Sequence, residues 1–152
     1  MNPAQKPVKG PIMTLFYIAV YHNTDSRFFP YEPGHALTKV ISHWRDLPAE
    51  TSPEDIADWA FALFNADLDT LQGRRGYPGG GELDFLLACT YRLLKLRSLS
   101  AGDVLGITSE QTTTFLACEF AGWRRIDSPD NRTGQALTAD TIYLHLRRSH
   151  HG

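Results

Sequence analysis

Apolar positions in this chain come in short alternating bursts broken by two stretches of helical period, and together they predict an α+β domain. Leu15, Phe16, Tyr17, Ile18, Ala19, Val20 and Tyr21 are β-formers that leave neither face polar, as expected of a central strand. His22 to Ser26 is polar and turn-forming. The stretch Phe28-Phe29-Pro30-Tyr31-Glu32-Pro33-Gly34 holds two prolines and reads as an aromatic loop. From Ala36 to Trp44 the alternation resumes imperfectly. Ala36, Thr38, Val40, Ser42 and Trp44 fall on one face, and Leu37, Lys39, Ile41 and His43 on the other.

Helical period takes over after Pro48. Ser52 suits an N-cap, Pro53 the first helical position, and Glu54 and Asp55 the positive end of the helix dipole. Ile56, Trp59, Ala60, Leu63 and Phe64 then recur on one side, with Asp55 and Asp58 toward solvent and an end near Asn65 or Ala66. Leu71 to Gly81 is rich in glycine and predicts a loop. A second helix is expected from Glu82 to Leu96, acidic at its start (Glu82, Asp84) and basic near its end (Arg92, Lys95). Its leucines and Phe85 predict burial on more than one side. Gly102-Asp103 leads into a hairpin, Val104–Thr108 and Thr113–Phe120, with Ser109-Glu110-Gln111 as the return and Trp123–Ile126 as a short edge strand. Ser128 to Gln135 is a polar connection, and Thr138 to Arg148 predicts a third helix with Ile142, Tyr143 and Leu146 on one side.

The expected fold is therefore α+β: a small mixed or antiparallel sheet, two main helices packed on one face, and a helix at the C-terminus. Residues 1–12 read as a flexible leader, with Met13 as an alternative start. Residues 13–126 read as one domain, and 127–152 as a polar connection and helical tail. A chain of 152 residues with 42% hydrophobic content buries on the order of 70% of its unfolded surface, enough for a core without staples. Cys89 and Cys118 both sit in apolar runs, the pattern of reduced thiols in a cytoplasmic protein. No apolar run reaches the roughly 18 residues of a membrane span.

Net charge is −2, but it is unevenly placed: Asp46, Glu50, Glu54, Asp55, Asp58, Asp67 and Asp69 occur in a stretch with no lysine or arginine. Basic residues modestly outnumber acidic ones from Arg92 onward, which is thinner than the basic stripe of a dedicated duplex-DNA binder.

Reactive groups do not converge. Gly79-Gly80-Gly81 precedes a helix, yet Glu82 and Asp84 place negative charge where a phosphate would sit, and no phosphate-loop pattern accompanies it. His35 and His43, if on one strand, stand roughly 26 Å apart at about 3.3 Å per residue, too far to share a metal. Cys118 shares parity with Leu116 and Phe120 and is expected in the core, without a neighbouring histidine to activate it. Neither a metal nor a cofactor is called for.

The stretch Arg97-Ser98-Leu99-Ser100-Ala101-Gly102-Asp103-Val104, with Leu116-Ala117-Cys118-Glu119-Phe120-Ala121-Gly122-Trp123, resembles a family of small uncharacterised actinobacterial proteins. Its Ser-Leu-Ser-x-Gly-Asp-Val element is similar to that of YodL-like domains of plasmids, phages and conjugative elements. The resemblance implies a mobile-element accessory context and brings no catalytic residues. From the residues themselves, Leu99 can anchor the turn in the core, Ser98, Ser100 and Asp103 can satisfy loop amides, and Gly102 allows a positive φ.

Two binding readings follow. The first is a non-enzymatic interaction module, an accessory or anti-defence factor that contacts a host or element-encoded protein through the aromatic loop (Phe28, Phe29, Tyr31) and the acidic helix face (Glu54, Asp55, Asp58). The alternative is nucleic-acid binding through Trp123, Arg124 and Arg125 with the basic tail Arg147-Arg148, since rings beside cations hold single strands.

Overall fold

The computed structural model describes residues 12–77 and 80–134. Residues 1–11 of the expected leader, the expected C-terminal helix, and with it Arg147 and Arg148, lie outside the described residues. Within them the fold is α+β. Six strands, β1 (Met13–Asn23), β2 (Leu37–Pro48), β3 (Val104–Ser109), β4 (Thr112–Cys118), β5 (Trp123–Ile126) and β6 (Arg132–Thr133), form one sheet in the order β5-β4-β3-β1-β2-β6. All neighbours are antiparallel except β6, which runs parallel to β2, so the sheet is mixed. Three helices, α1 (Pro53–Asn65), α2 (Leu68–Gly73) and α3 (Gly81–Leu93), fill the span between β2 and β3. No helix among the described residues is long and apolar enough to cross a membrane.

The imperfect alternation of β2 has a local cause. The register with β1 slips between Val20 and Tyr21, so that Val20 pairs with Ile41 but Tyr21 pairs with Lys39. Val40 is the extra residue of this bulge, and beyond it the parity of β2 inverts. Leu37 and Lys39 therefore share a face with Ser42 and Trp44, whose partners are Ala19 and Tyr17. Ile41, His43 and Arg45 face the other way. The strand also runs to Pro48, past the expected end at Trp44.

The sheet is curled. Six peptide steps join Ile126 at one edge to Arg132 at the other, about 22 Å at full extension. Five strand spacings of about 4.8 Å would separate those edges by about 24 Å if the sheet were flat. The edges accordingly approach each other: the Arg132 guanidinium lies 4.9 Å from the centre of the Phe115 ring of β4, although β3, β1 and β2 intervene.

On one face, Phe16, Ile18, Val20, Ile41, Leu105, Ile107 and Leu116 pack with Ile56, Leu63 and Phe64 of α1, Leu71 of α2, and Leu87 and Tyr91 of α3. Helix α1 starts as its residues dictate: the Ser52 hydroxyl accepts from Asp55 N–H at 3.1 Å and Pro53 opens the first turn. The short α2 was not anticipated; Asp67 caps it, accepting from Asp69 N–H. Helix α3 stops at Leu93, because Lys95 adopts a left-handed φ of 56°. It buries Leu87, Ala88, Thr90 and Tyr91, and Leu83 and Phe85 are partly buried against the core, while Leu93 and Leu94 at its end are exposed. Strand β4 likewise ends at Cys118, and Phe120, expected in the core, is 73% exposed.

His43 is fully buried on the helix face, its ring 5.4 Å from that of Trp59, and neither ring nitrogen has a hydrogen-bond partner among the described residues. Burial, helped by the charge of Arg45, pushes its pKa down to about 3. Burial likewise lowers His22 to about 4, against the pull of Asp103. Both groups bind a proton more readily in the unfolded chain, where histidine titrates near 6.5. Their contribution to stability is thus complete above that pH and declines as pH falls toward the folded values. Urea unfolding at pH 5 should show a loss of about 2 kcal/mol per histidine relative to pH 7.5. His43→Leu should remove one such increment, and an unchanged pH dependence in that variant would contradict the assignment.

Candidate functional site

The chemistry of the fold is concentrated where the Arg97–Val104 motif meets the end of β1. Asp103 is 1% exposed. Its Oδ2 accepts from Arg97 Nη1 at 2.7 Å and from Ser100 N–H at 2.9 Å. Its Oδ1 accepts from Arg97 Nη2 at 2.7 Å and from Asn23 N–H at 2.9 Å. A bidentate guanidinium with two backbone amides is what a carboxylate removed from water requires. Leu99 is buried in the core, and Asn65 at the end of α1 clasps its backbone, Oδ1 accepting from Leu99 N–H at 2.8 Å and Nδ2 donating to Leu99 O at 3.1 Å. Ser98 is exposed and takes no side-chain part in this network.

Tyr91 of α3 closes the network on a third side. Its hydroxyl donates to Arg97 O, so the 2.7 Å contact with His22 must have His22 Nε2–H as donor, leaving Nδ1 as an acceptor. His22, Asn23, Thr24, Arg27, Lys95 and Arg97 line a hollow of about 340 Å³ beside the motif.

Asn23 carries the order of this network into the aromatic loop. Its Oδ1 accepts from Asp25 and Ser26 N–H, and its Nδ2 donates to Gly102 O and to His35 Nδ1. The base of the loop is closed by Thr24 N–H to Ala36 O and by Ala36 N–H to Asp25 Oδ2. Gly102 has φ +98°, and a Cβ there would stand 2.5 Å from Phe29 O, so only glycine lets this loop seat. At the tip, Phe28 and Phe29 are 62% and 66% exposed. Phe28 adopts a left-handed φ of 70°, and the Phe29 ring meets Phe120 edge-to-face at 6.5 Å. Tyr31 is buried, with its ring edge-on to His35.

The acidic and basic residues singled out from the sequence meet each other. Arg125 makes a two-pronged contact with Glu54, 2.7 and 3.1 Å, and Trp123 Nε1 donates to Asp58 at 3.2 Å. Arg124 points to the opposite face, where it donates to Glu119 at 2.8 Å and to Tyr31 O at 2.8 Å. Asp55 alone of the acidic trio has its side chain exposed without a partner side chain. Glu54 and Asp58 of the acidic stretch thus face Arg125 and Trp123 across the α1–β5 contact. Cys118 is buried, its Sγ 3.7 Å from Glu119 O; burial first, then Asp103 and Glu119, pushes the thiol up to about 11. Among the described residues no three His, Cys, Asp or Glu side chains converge on a point.

The concave face of the curl holds a second hollow, about 750 Å³ and open to solvent. Its floor is Ala19 and Gly106, cross-strand partners, and a Cβ on Gly106 would meet the Phe115 ring at 3.0 Å. Tyr17, Tyr21 and Phe115 wall it, with Lys39 and Arg132 at one side. Sequence reading passed over these residues because the β2 bulge puts Lys39 on the same face as Trp44, whereas simple alternation assigns the two to opposite faces. Phe120 was missed because its strand ends two residues early.

The chain matches no known family model, no curated protein and no solved structure.

Removing the carboxylate should be severe. Asp103→Ala leaves Arg97 and two amides without an acceptor, and urea unfolding should register a loss of about 3–5 kcal/mol. A loss below about 1 kcal/mol would show that the network is not the organiser described here.

Proposed function

We propose that this chain is a non-enzymatic interaction module that grips a protein partner through Phe28, Phe29 and Phe120. The observation that carries the reading is Phe28. A bulky residue in the left-handed region is strained by about 1–3 kcal/mol, and this one presents its ring to water. Strain at a residue left mostly in water is consistent with a surface shaped for something outside the chain. Phe29 follows Phe28 in the chain and meets Phe120, which arrives from a separate loop, and both loops are tied to rigid parts: the first to Asn23 and Gly102, the second by Glu119 N–H to Gly122 O at 3.0 Å. Preorganised aromatic anchors lose little entropy on binding and dominate interface energetics.

Arg27, next to these rings, and Lys95 are exposed and make no ion pair among the described residues. The partner surface that fits is an apolar pocket with a carboxylate at its rim. The resemblance of the Ser98–Val104 element to mobile-element proteins supports a host protein as that partner and the cytoplasm as the meeting place. The buried, protonated Cys118 and the low-pKa histidines support binding over catalysis.

Phe28→Gly separates this reading from a purely structural role of the loop. It should raise stability by about 1 kcal/mol by relieving the backbone, and should abolish capture of the partner retained by the wild-type chain from a lysate of its own cells. Phe29→Ser should also lose capture, and Asp55→Asn should keep it. If the wild type retains no partner, or both phenylalanine variants retain the same one, the proposal fails.

A further inference from the structure

The hollow on the concave face is separate from the phenylalanine cluster, and its composition suits a different ligand. We propose that it binds a nucleotide unit, with the base stacked on the Tyr17–Trp44 rings and the phosphate held between Lys39 and Arg132. Three observations converge. First, there is room: about 750 Å³, within the range of small-ligand sites, over a floor kept low by Ala19 and Gly106.

Second, the rings are placed for stacking. Tyr17 lines the hollow, and its cross-strand partner Trp44, just outside the lining, extends the ring surface on the same face: the centroids are 4.8 Å apart and Trp44 is 37% exposed. An open sheet face carrying aromatic side chains is a sequence-tolerant platform for bases, at about 1–3 kcal/mol per base.

Third, the cations are available. Arg132 is aligned with Leu37 in the β2–β6 pair, two residues from Lys39 on the same face, so both side chains rise from neighbouring strands. Neither forms an ion pair among the described residues. Each is instead held by a ring: Lys39 Nζ donates to the Tyr17 hydroxyl at 3.2 Å, and Arg132 lies over Phe115. Arg125, which also lines the hollow, is occupied by Glu54, and Asp127 is the lining carboxylate. Asp130 lines the adjoining hollow with Lys39 and Arg132, but neither cation is ion-paired with it or with Asp127 among the described residues, so both can meet a phosphate; the Thr108–Thr113 hydroxyl pair, 2.8 Å apart, offers hydrogen bonds to a base edge. A nucleotide can arrive free or as part of a single strand, and both present the same ring and phosphate.

The test is a titration of the full chain with three probes at about 50 mM and 150 mM salt: a fluorescently labelled oligothymidylate, thymidine 5′-phosphate, and ribose 5-phosphate. Binding of either thymine probe, with ribose phosphate at least tenfold weaker, is expected. Oligothymidylate binding identifies a single strand as the source of the unit, and binding of thymidine 5′-phosphate alone identifies the free nucleotide. The double variant K39Q/R132Q should weaken the thymine probe about tenfold or more and, for the oligonucleotide, lower the salt slope by about 0.7, the increment for the one phosphate that the two cations share. Trp44→Ala should weaken it about five- to a hundredfold with the salt slope unchanged. Unchanged urea midpoints in both variants keep folding apart from binding; if a midpoint shifts, Lys39→Arg, which retains the charge, should bind as the wild type does. No binding of any probe at low salt, equal binding of ribose phosphate, or wild-type affinity in both variants would each overturn the proposal.

Discussion

A carboxylate withdrawn from water stays charged only if every oxygen is answered, and Asp103 is answered from three directions at once. Arg97 approaches from the segment that leaves α3, Ser100 from the turn itself, and Asn23 from the far end of β1. The motif cannot close before β1 is in place, and the end of β1 has no fixed position until the motif supplies its acceptor. Everything at this end of the molecule inherits its geometry from that exchange. Asn23 orders the turn after β1, Gly102 makes space for Phe29 O, and Asn65 ties α1 to Leu99. The resemblance motif is therefore explained residue by residue as architecture, with Ser98 the exception.

The two faces of the sheet have different fates. One is dry, filled by three helices, and uses its few surface charges to fasten α1 to β5 through Glu54–Arg125 and Asp58–Trp123. The exposed Glu54–Arg125 pair adds little to stability, as such pairs do, but it fixes which side of α1 meets the sheet edge. The other face is curled on itself and left open, with its cations held against rings. The surfaces proposed to bind are thus those where the fold is not closed: the loop tips beyond β1 and β4, and the inside of the curl.

Much of the architecture was legible in the sequence because local chemistry and tertiary demand agree. Ser52-Pro53 opens α1, Gly102 turns with positive φ, Leu99 anchors, and the Val104–Thr108 strand pairs with its successor. Legibility fails where a single backbone event changes meaning downstream. The bulge at Val40 exchanges the faces of β2, a change that no alternation count can register, and with it the placement of Lys39 against Trp44. Lys95 ends α3 early and exposes Leu93. Charge patches read along the chain were equally ambiguous, since a run of acids and a run of bases can be two surfaces or one contact. Partners in three dimensions decide between them, and here Glu54 and Arg125 do.

The seam at the centre of the sheet joins opposite thirds of the chain: Tyr17 to Tyr21 lie against Thr108 to Val104, with all three helices looped out between. A hairpin of β1 and β2 can form early, but its inner edge stays bare until β3 has been made. Synthesis from the N-terminus therefore leaves Ile18 and Val20, both 0% exposed in the folded core, uncovered on that edge until β3 has been made. Closing the span of chain between β1 and β3 costs entropy before the contacts of that seam repay it.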